Sequence, residues 1–154
     1  MKAAIFTLDT GLYKAKQESA AASALKRMLE QVGFDVKAAG VLPEDKKVLT
    51  AVLKRLTDTD SVDLVLTTGA AGIRKRDCAP EVVEEISDRL LPGIPEAIRA
   101  YNIRFTKKAI LDRSSAGIRK NTLIVNLPES AKAAKDSLEY ILPELVQVVE
   151  ILSL

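Results

Sequence analysis

Residues 62–72 constrain this chain most: Val62, Leu64, Val65 and Leu66 run directly into Thr67-Thr68-Gly69-Ala70-Ala71-Gly72. A short apolar run of this kind predicts a strand covered on both faces, as in a parallel sheet. Behind it, Pro80 suits a first helical position, and Val82, Val83, Ile86 and Leu90 follow at helical spacing. The segment therefore delivers a small-residue loop from a strand end to a helix N-terminus. There Gly69 and Gly72, with Arg74 and Arg76 alongside, let the backbone approach a phosphate-bearing ligand. The same loop also serves as a plain strand-to-helix connection in many α/β proteins, and both readings stand at this point.

The rest of the pattern supplies the sheet. Residues 3–8 form an apolar run, and residues 18–32 place Ala22, Leu25, Met28, Leu29 and Val32 on one helical face. Gly33 closes that helix, residues 35–41 read as a second strand, and Val48, Val52 and Leu56 form another helical stripe after Pro43. Strands separated by helices of this length require right-handed crossovers, which predicts a doubly wound, mostly parallel α/β sheet. Further on, Pro92-Gly93 and Pro95 open a short helix through Tyr101, residues 108–111 suggest a strand, and residues 122–127 are a clear strand. The chain closes on a helix carrying Ala134, Leu138, Ile141 and Leu142, which Pro143 is expected to kink or split. With 154 residues, 47% of them hydrophobic, one domain over 1–154 is expected.

Composition removes whole classes of chemistry. The chain has no histidine, which excludes the usual general base, the usual triads and most metal sites, and leaves carboxylates, lysine or a bound metal. The single cysteine, Cys78, excludes an internal disulfide, lacks the partners of a zinc site and is read as core or near-core. A net charge of +2 and 4% aromatic residues argue against nucleic acid as a partner. No stretch approaches the roughly 20 apolar residues of a membrane span, and Met1-Lys2 leads into a strand rather than a signal sequence, so a cytoplasmic, reducing location is expected.

Ligands of open parallel sheets lie beyond the carboxyl ends of the strands. The loops to inspect are therefore 9–11, 67–77 and 128–132, which can converge on one pocket. Arg74, Lys75, Lys107, Lys108, Arg119 and Lys120 read as surface charge, with Arg119 and Lys120 the better ligand candidates because they flank a turn at residues 114–117.

Thr67-Thr68-Gly69-x-x-Gly72, Arg76-Asp77, Pro80-Glu81, Pro92-Gly93, Glu96-Ala97, Arg99, Arg113 with Ala116-Gly117, and residues 122–128 (TLIVNLP) resemble the Mog/MoaB family of molybdenum cofactor biosynthesis over nearly the whole chain. The resemblance implies a three-layer α/β domain, a homotrimer or hexamer, and molybdopterin as ligand or substrate. For the adenylyltransferase members it also implies Mg, ATP and a partner that inserts molybdenum. Carried over by position, Asp77 would bind Mg or position the nucleotide, with Glu44 or Asp45 as the other acidic residue. Thr68, Gly69, Gly72, Arg76, Arg113, Ser114, Gly117, Asn126, Ser130 and Lys132 would contact the ligand. For Asp77 a helix cap or ion pair, and for Ser130 and Lys132 an N-cap and a solvated lysine, are the structural alternatives.

This chain departs from the family pattern at its loops. Ala70 and Ala71 replace a glycine and a threonine, and the alanine methyl is expected to oppose a positive φ. Glu129 replaces a glycine and puts a carboxylate where phosphate would dock. Thr10 and Ser19 stand where the family has aspartates, Ala20-Ala21-Ala22 replaces a Ser/Gly segment, Glu44 replaces an aspartate, and Asp112 replaces a serine before Arg113. Two functions follow as expectations. One is a molybdopterin-binding protein that adenylylates its ligand with Mg-ATP; the other is a non-catalytic binding or scaffold member holding a pterin or another anion.

Overall fold

The computed structural model describes all residues from Met1 to Leu154. In chain order the strands are β1 (Lys2–Leu8), β2 (Asp35–Leu42), β3 (Leu64–Thr68), β4 (Arg89–Leu90), β5 (Ala116–Arg119) and β6 (Thr122–Leu127). The helices are α1 (Thr10–Ala15), α2 (Ala20–Gln31), α3 (Lys46–Asp58), α4 (Ala79–Ile86), α5 (Gly93–Asn102) and α6 (Ala131–Leu152), with a 3-10 turn at Lys107–Leu111.

One six-stranded sheet runs in the order β2-β1-β3-β6-β5-β4. Its β2, β1, β3 and β6 strands are parallel, while β5 runs antiparallel to both of its neighbours, β6 and β4. The central strands divide their side chains by strict alternation. Ala3 and Ile5 of β1, Leu64 and Leu66 of β3, and Leu123, Val125 and Leu127 of β6 pack on one face with Leu25 and Leu29 of α2, Ile98 of α5, and Leu138, Leu145 and Val149 of α6. Ala4 and Phe6, Val65, and Ile124 face the other way, against Leu49 and Leu53 of α3 and Val82, Val83 and Ile86 of α4. Helices thus cover both faces, which is the three-layer α/β domain expected from the sequence.

Several local readings change. Residues 108–111 lie in the 3-10 turn rather than a strand, opened by the Thr106 hydroxyl accepting from the Lys108 amide at 3.3 Å. The residues after β1 form the short helix α1, whose first turn is capped by the Asp9 carboxylate accepting from the Leu12 amide at 3.0 Å. α2 starts at Ala20, its buried face is Ala21, Leu25 and Leu29, and Val32 is exposed. In α3 the buried residues are Leu49, Leu53 and Thr57, one position round from the expected stripe.

Pro143 does not split α6, which runs as one helix from Ala131 to Leu152. Pro143 and Glu139, whose carbonyl loses its helical donor, both lie on the exposed side of the helix, while Leu138, Leu142 and Leu145 keep their seam.

Candidate functional site

The site is built on the loop leaving β3. Gly69 has φ +88, and a Cβ there would stand 2.6 Å from the Leu8 carbonyl oxygen, so the sharp exit from the sheet requires glycine. Ala70 follows at φ +54, in the left-handed region, with its methyl buried among Phe6, Val83 and their neighbours. The methyl therefore does not block the positive φ, contrary to expectation; its burial offsets part of the backbone cost.

Asp77 folds back over this loop. Its Oδ2 accepts from the Arg74 amide at 2.8 Å, and its own amide donates to the Arg74 carbonyl at 3.0 Å. A Cβ on Gly72 would lie 2.9 Å from Asp77 Oδ2, so Gly72 makes room for the carboxylate. Arg113 staples the same loop. Its Nε donates to the Gly72 carbonyl at 2.6 Å, its Nη2 to the Asp77 carbonyl at 2.9 Å, and its fork closes on the Glu81 carboxylate at 2.7 and 3.0 Å. The Glu81 carboxylate beside it raises the Arg113 pKa further.

This loop forms part of one wall of a cavity of about 520 Å³. Ala71, Gly72, Arg74 and Asp77 come from the β3 loop, Pro128, Glu129 and Ser130 from the β6 loop, and Arg99, Asn102, Thr106, Lys108, Leu111 and Asp112 from α5 and the chain after it. The Ser130 hydroxyl accepts from the Ala133 amide at 3.1 Å and so caps α6 at the cavity edge. Across the opening, Arg74 donates to both oxygens of Glu129 at 3.4 Å, a long and solvent-exposed pair.

Of the residues expected at a ligand, Gly72, Asp77 and Ser130 line this cavity. The others serve it from behind or lie elsewhere. Thr68 is buried in β3, and Asn126 is buried in β6, where its Nδ2 donates to the Thr67 hydroxyl at 2.8 Å and its Oδ1 accepts from the Ser115 amide at 3.0 Å. Ser114 is buried and donates from its hydroxyl to Asp112 Oδ1 at 2.8 Å. Gly117 is a β5 residue opposite Leu90, where a Cβ would collide with the Ser87 side chain, so it is a packing glycine. Lys132 turns away to Asp136 at 2.6 Å.

Glu44 and Arg76 form an ion pair at 2.9 Å beside the cavity. Glu44 also accepts from the Thr10 amide at 3.2 Å, while the Thr10 hydroxyl accepts from the Glu44 amide at 3.0 Å, which locks α1 to the start of α3. Asp45 caps α3 through the Lys47 and Val48 amides at 2.9 and 3.1 Å. No group of three or more His, Cys, Asp or Glu side chains is placed to hold a metal. Asp77 alone is compatible with a magnesium ion that takes most of its ligands from water and substrate oxygens, the usual arrangement for that cation. Glu44 is committed to Arg76 and Thr10.

Arg74 and Lys108, read from sequence as surface charge, line the cavity. Arg119 and Lys120 do not: both pair with Asp58, at 3.0 and 2.9 Å, and residues 116–119 are strand rather than turn. Arg99, Asn102 and Thr106 were not singled out as ligand contacts by sequence reasoning. Arg99 carried a signal through its place in the family pattern, whereas Asn102 and Thr106 had none. Cys78 is buried, and desolvation pushes its thiol pKa up, so it is no activated thiolate.

A cavity lined by the loops beyond the carboxyl ends of β3 and β6 of an open, helix-covered parallel sheet defines a ligand-binding α/β domain. The chain belongs to the family described as the probable molybdopterin binding domain, whose model matches residues 4–147.

It is 41% identical over 99 residues to a molybdopterin adenylyltransferase of Haemophilus influenzae, covering 64% of this chain and 50% of that protein. It is 34% identical over 112 residues to the molybdopterin adenylyltransferase of Helicobacter pylori, covering 73% and 64%. The matches thus span between half and two thirds of those relatives' lengths. Among solved structures it resembles the molybdopterin biosynthesis enzyme MoaB of Thermus thermophilus, at TM-score 0.85, 34% identity and coverage of 97% and 96%. It also resembles the molybdopterin biosynthesis Mog protein of Mycobacterium ulcerans, at TM-score 0.91, 26% identity and coverage of 98% of each chain. No helix is long and apolar enough to cross a membrane.

Proposed function

We propose that this protein acts in molybdenum cofactor biosynthesis by binding molybdopterin in the β3–β6 cavity and adenylylating it with Mg-ATP. The observation that carries the reading is Asp77: a carboxylate seated over a glycine loop, on the wall of a cavity edged by the capped start of α6. Magnesium bound there would neutralise phosphate charge as the adenylyl group moves to the ligand. Asp77 would hold the ion, Arg74 and the α6 N-terminus would take phosphate oxygens, and Arg113 would keep the loop in place. The relatives named as adenylyltransferases favour this over a non-catalytic scaffold.

We also read Phe105, Ile110 and Leu111, exposed by 68, 67 and 51%, as part of a face that closes a homotrimer or a multiple of it. A cytoplasmic location and a molybdenum-inserting partner protein complete the reading. The test is incubation with molybdopterin, magnesium and ATP. Pyrophosphate release that disappears in Asp77→Asn supports it, and no turnover beside an active family member removes it. Light scattering at micromolar concentration checks the trimer; a monomer contradicts it.

A further inference from the structure

Asp112 is the one carboxylate on the cavity wall with a solvent-excluded oxygen that no group in the protein satisfies. Its Oδ1 accepts from the Ser114 hydroxyl at 2.8 Å and the Ser114 amide at 3.4 Å, while its Oδ2 is shut off from solvent with no hydrogen-bond partner. Arg99 on the same cavity wall makes no hydrogen bond to this oxygen. Arg99 Nη1 is spent on main-chain oxygens, those of Asp112 at 3.4 Å and Ser114 at 3.1 Å. The other two cavity carboxylates differ: Asp77 accepts from the Arg74 amide, and Glu129 faces the Arg74 side chain. A buried acceptor left without a donor is costly, and more so when charged, so a ligand that brings donors gains what the fold does not supply.

We propose that Asp112 is a specificity residue that accepts hydrogen bonds from an amidine-like N–H edge of the ligand, the edge carried by the aminopyrimidinone half of a pterin. Two adjacent N–H groups match a carboxylate, whose oxygens together offer about four lone-pair sites. The carboxylate torsion is broad, so rotation about χ2 is the movement by which a ligand would draw Oδ2 toward the cavity. Burial also pushes the Asp112 carboxyl above its ordinary range, as expected of an anion waiting for a donor. Serine, the family residue at this position by resemblance, offers one hydroxyl and no charge. The assignment rests on the cavity being a pterin site.

The experiment compares 2-amino-4-oxopteridine with pteridine-2,4-dione, which has an oxygen in place of the amino group, by calorimetric titration against the native protein, Asp112→Asn and Asp112→Ser. Asparagine keeps the acceptor toward Ser114 and turns the other end of the side chain into a donor. The native protein is expected to prefer the amino compound by about ten-fold or more, and Asp112→Asn to lose or reverse that preference. Asp112→Ser is expected to bind both rings with little distinction. A preference unchanged in both folded variants overturns the role of Asp112 while leaving the pterin site intact. Failure of the native protein to bind either ring overturns the pterin reading itself, and the assignment with it.

Discussion

Arg113 Nη2 donates to the main-chain carbonyl of Asp77 at 2.9 Å, so a side chain from just before β5 fixes the loop that follows β3. The same guanidinium holds the Gly72 carbonyl and the Glu81 carboxylate, which makes it a fork spanning both ends of the cavity loop. Arg113→Ala should lower stability by about 1–3 kcal/mol, since hydrogen bonds from a charged donor fall in that range. Arg113→Lys should recover less than half of the loss, because an ammonium cannot reproduce the planar fork. Denaturant unfolding checks the magnitude. Hydrogen exchange should show the loss of protection centred on residues 70–78.

Gly69 and Ala70 should respond in opposite ways to exchange of their residue types. Gly69→Ala drives a Cβ into the Leu8 carbonyl, at a distance of 2.6 Å, and should cost about 2 kcal/mol or more, because backbone must shift. Ala70→Gly relieves a left-handed alanine worth about 1–2 kcal/mol. It also loses a buried methyl, at about 0.8 kcal/mol, and gains unfolded-state entropy of similar size. Its net effect should therefore stay within about 1 kcal/mol. Thermal melts of the two variants distinguish the cases, and a strongly destabilised Ala70→Gly would contradict the cancellation.

Asp112 has a folded pKa above its ordinary value of 3.8, with desolvation the largest cause. The folded state therefore binds its proton more tightly than the unfolded chain does. The group costs nothing below about pH 4, and stability is lost as pH rises through the folded pKa. Asp112→Asn should accordingly stabilise the ligand-free protein at neutral pH, with the gain shrinking to nothing as pH falls toward 3.8. A gain independent of pH would assign the effect to packing instead.

Arg74 is held toward Glu129 by contacts of 3.4 Å that both sit in solvent, and the Coulomb attraction of Glu129 raises the Arg74 pKa. A phosphate entering the cavity must compete for Arg74 and approach Glu129. Glu129→Gly should raise affinity for AMP at low salt by a few-fold, corresponding to about 1 kcal/mol for removal of one like charge in a hydrated site. The advantage should fade as ionic strength approaches 1 M, where the Debye length falls to about 3 Å. Equal affinities at all salt concentrations would place the phosphate away from residue 129.

The amino-acid sequence by itself determined the layers. The apolar runs in residues 3–8, 62–66 and 122–127 dictate strands buried on both faces, and the spacing of Leu25 and Leu29 or Leu138 and Leu145 dictates helices that cover them. The absence of histidine, and a glycine loop ahead of Asp77, were equally legible, because residue type alone carries that chemistry.

Tertiary structure decided which of the polar residues meet. Arg113, Asn126 and Ser114 were legible as site residues but not as supports, since their partners lie 11 to 59 positions away or in a turn whose shape local spacing does not specify. Asn102 and Thr106 enter the cavity wall only because α5 and the 3-10 turn fold across the strand ends. The same holds for the unpartnered oxygen of Asp112: whether a carboxylate finds a donor depends on everything packed around it, and no spacing along the chain encodes that.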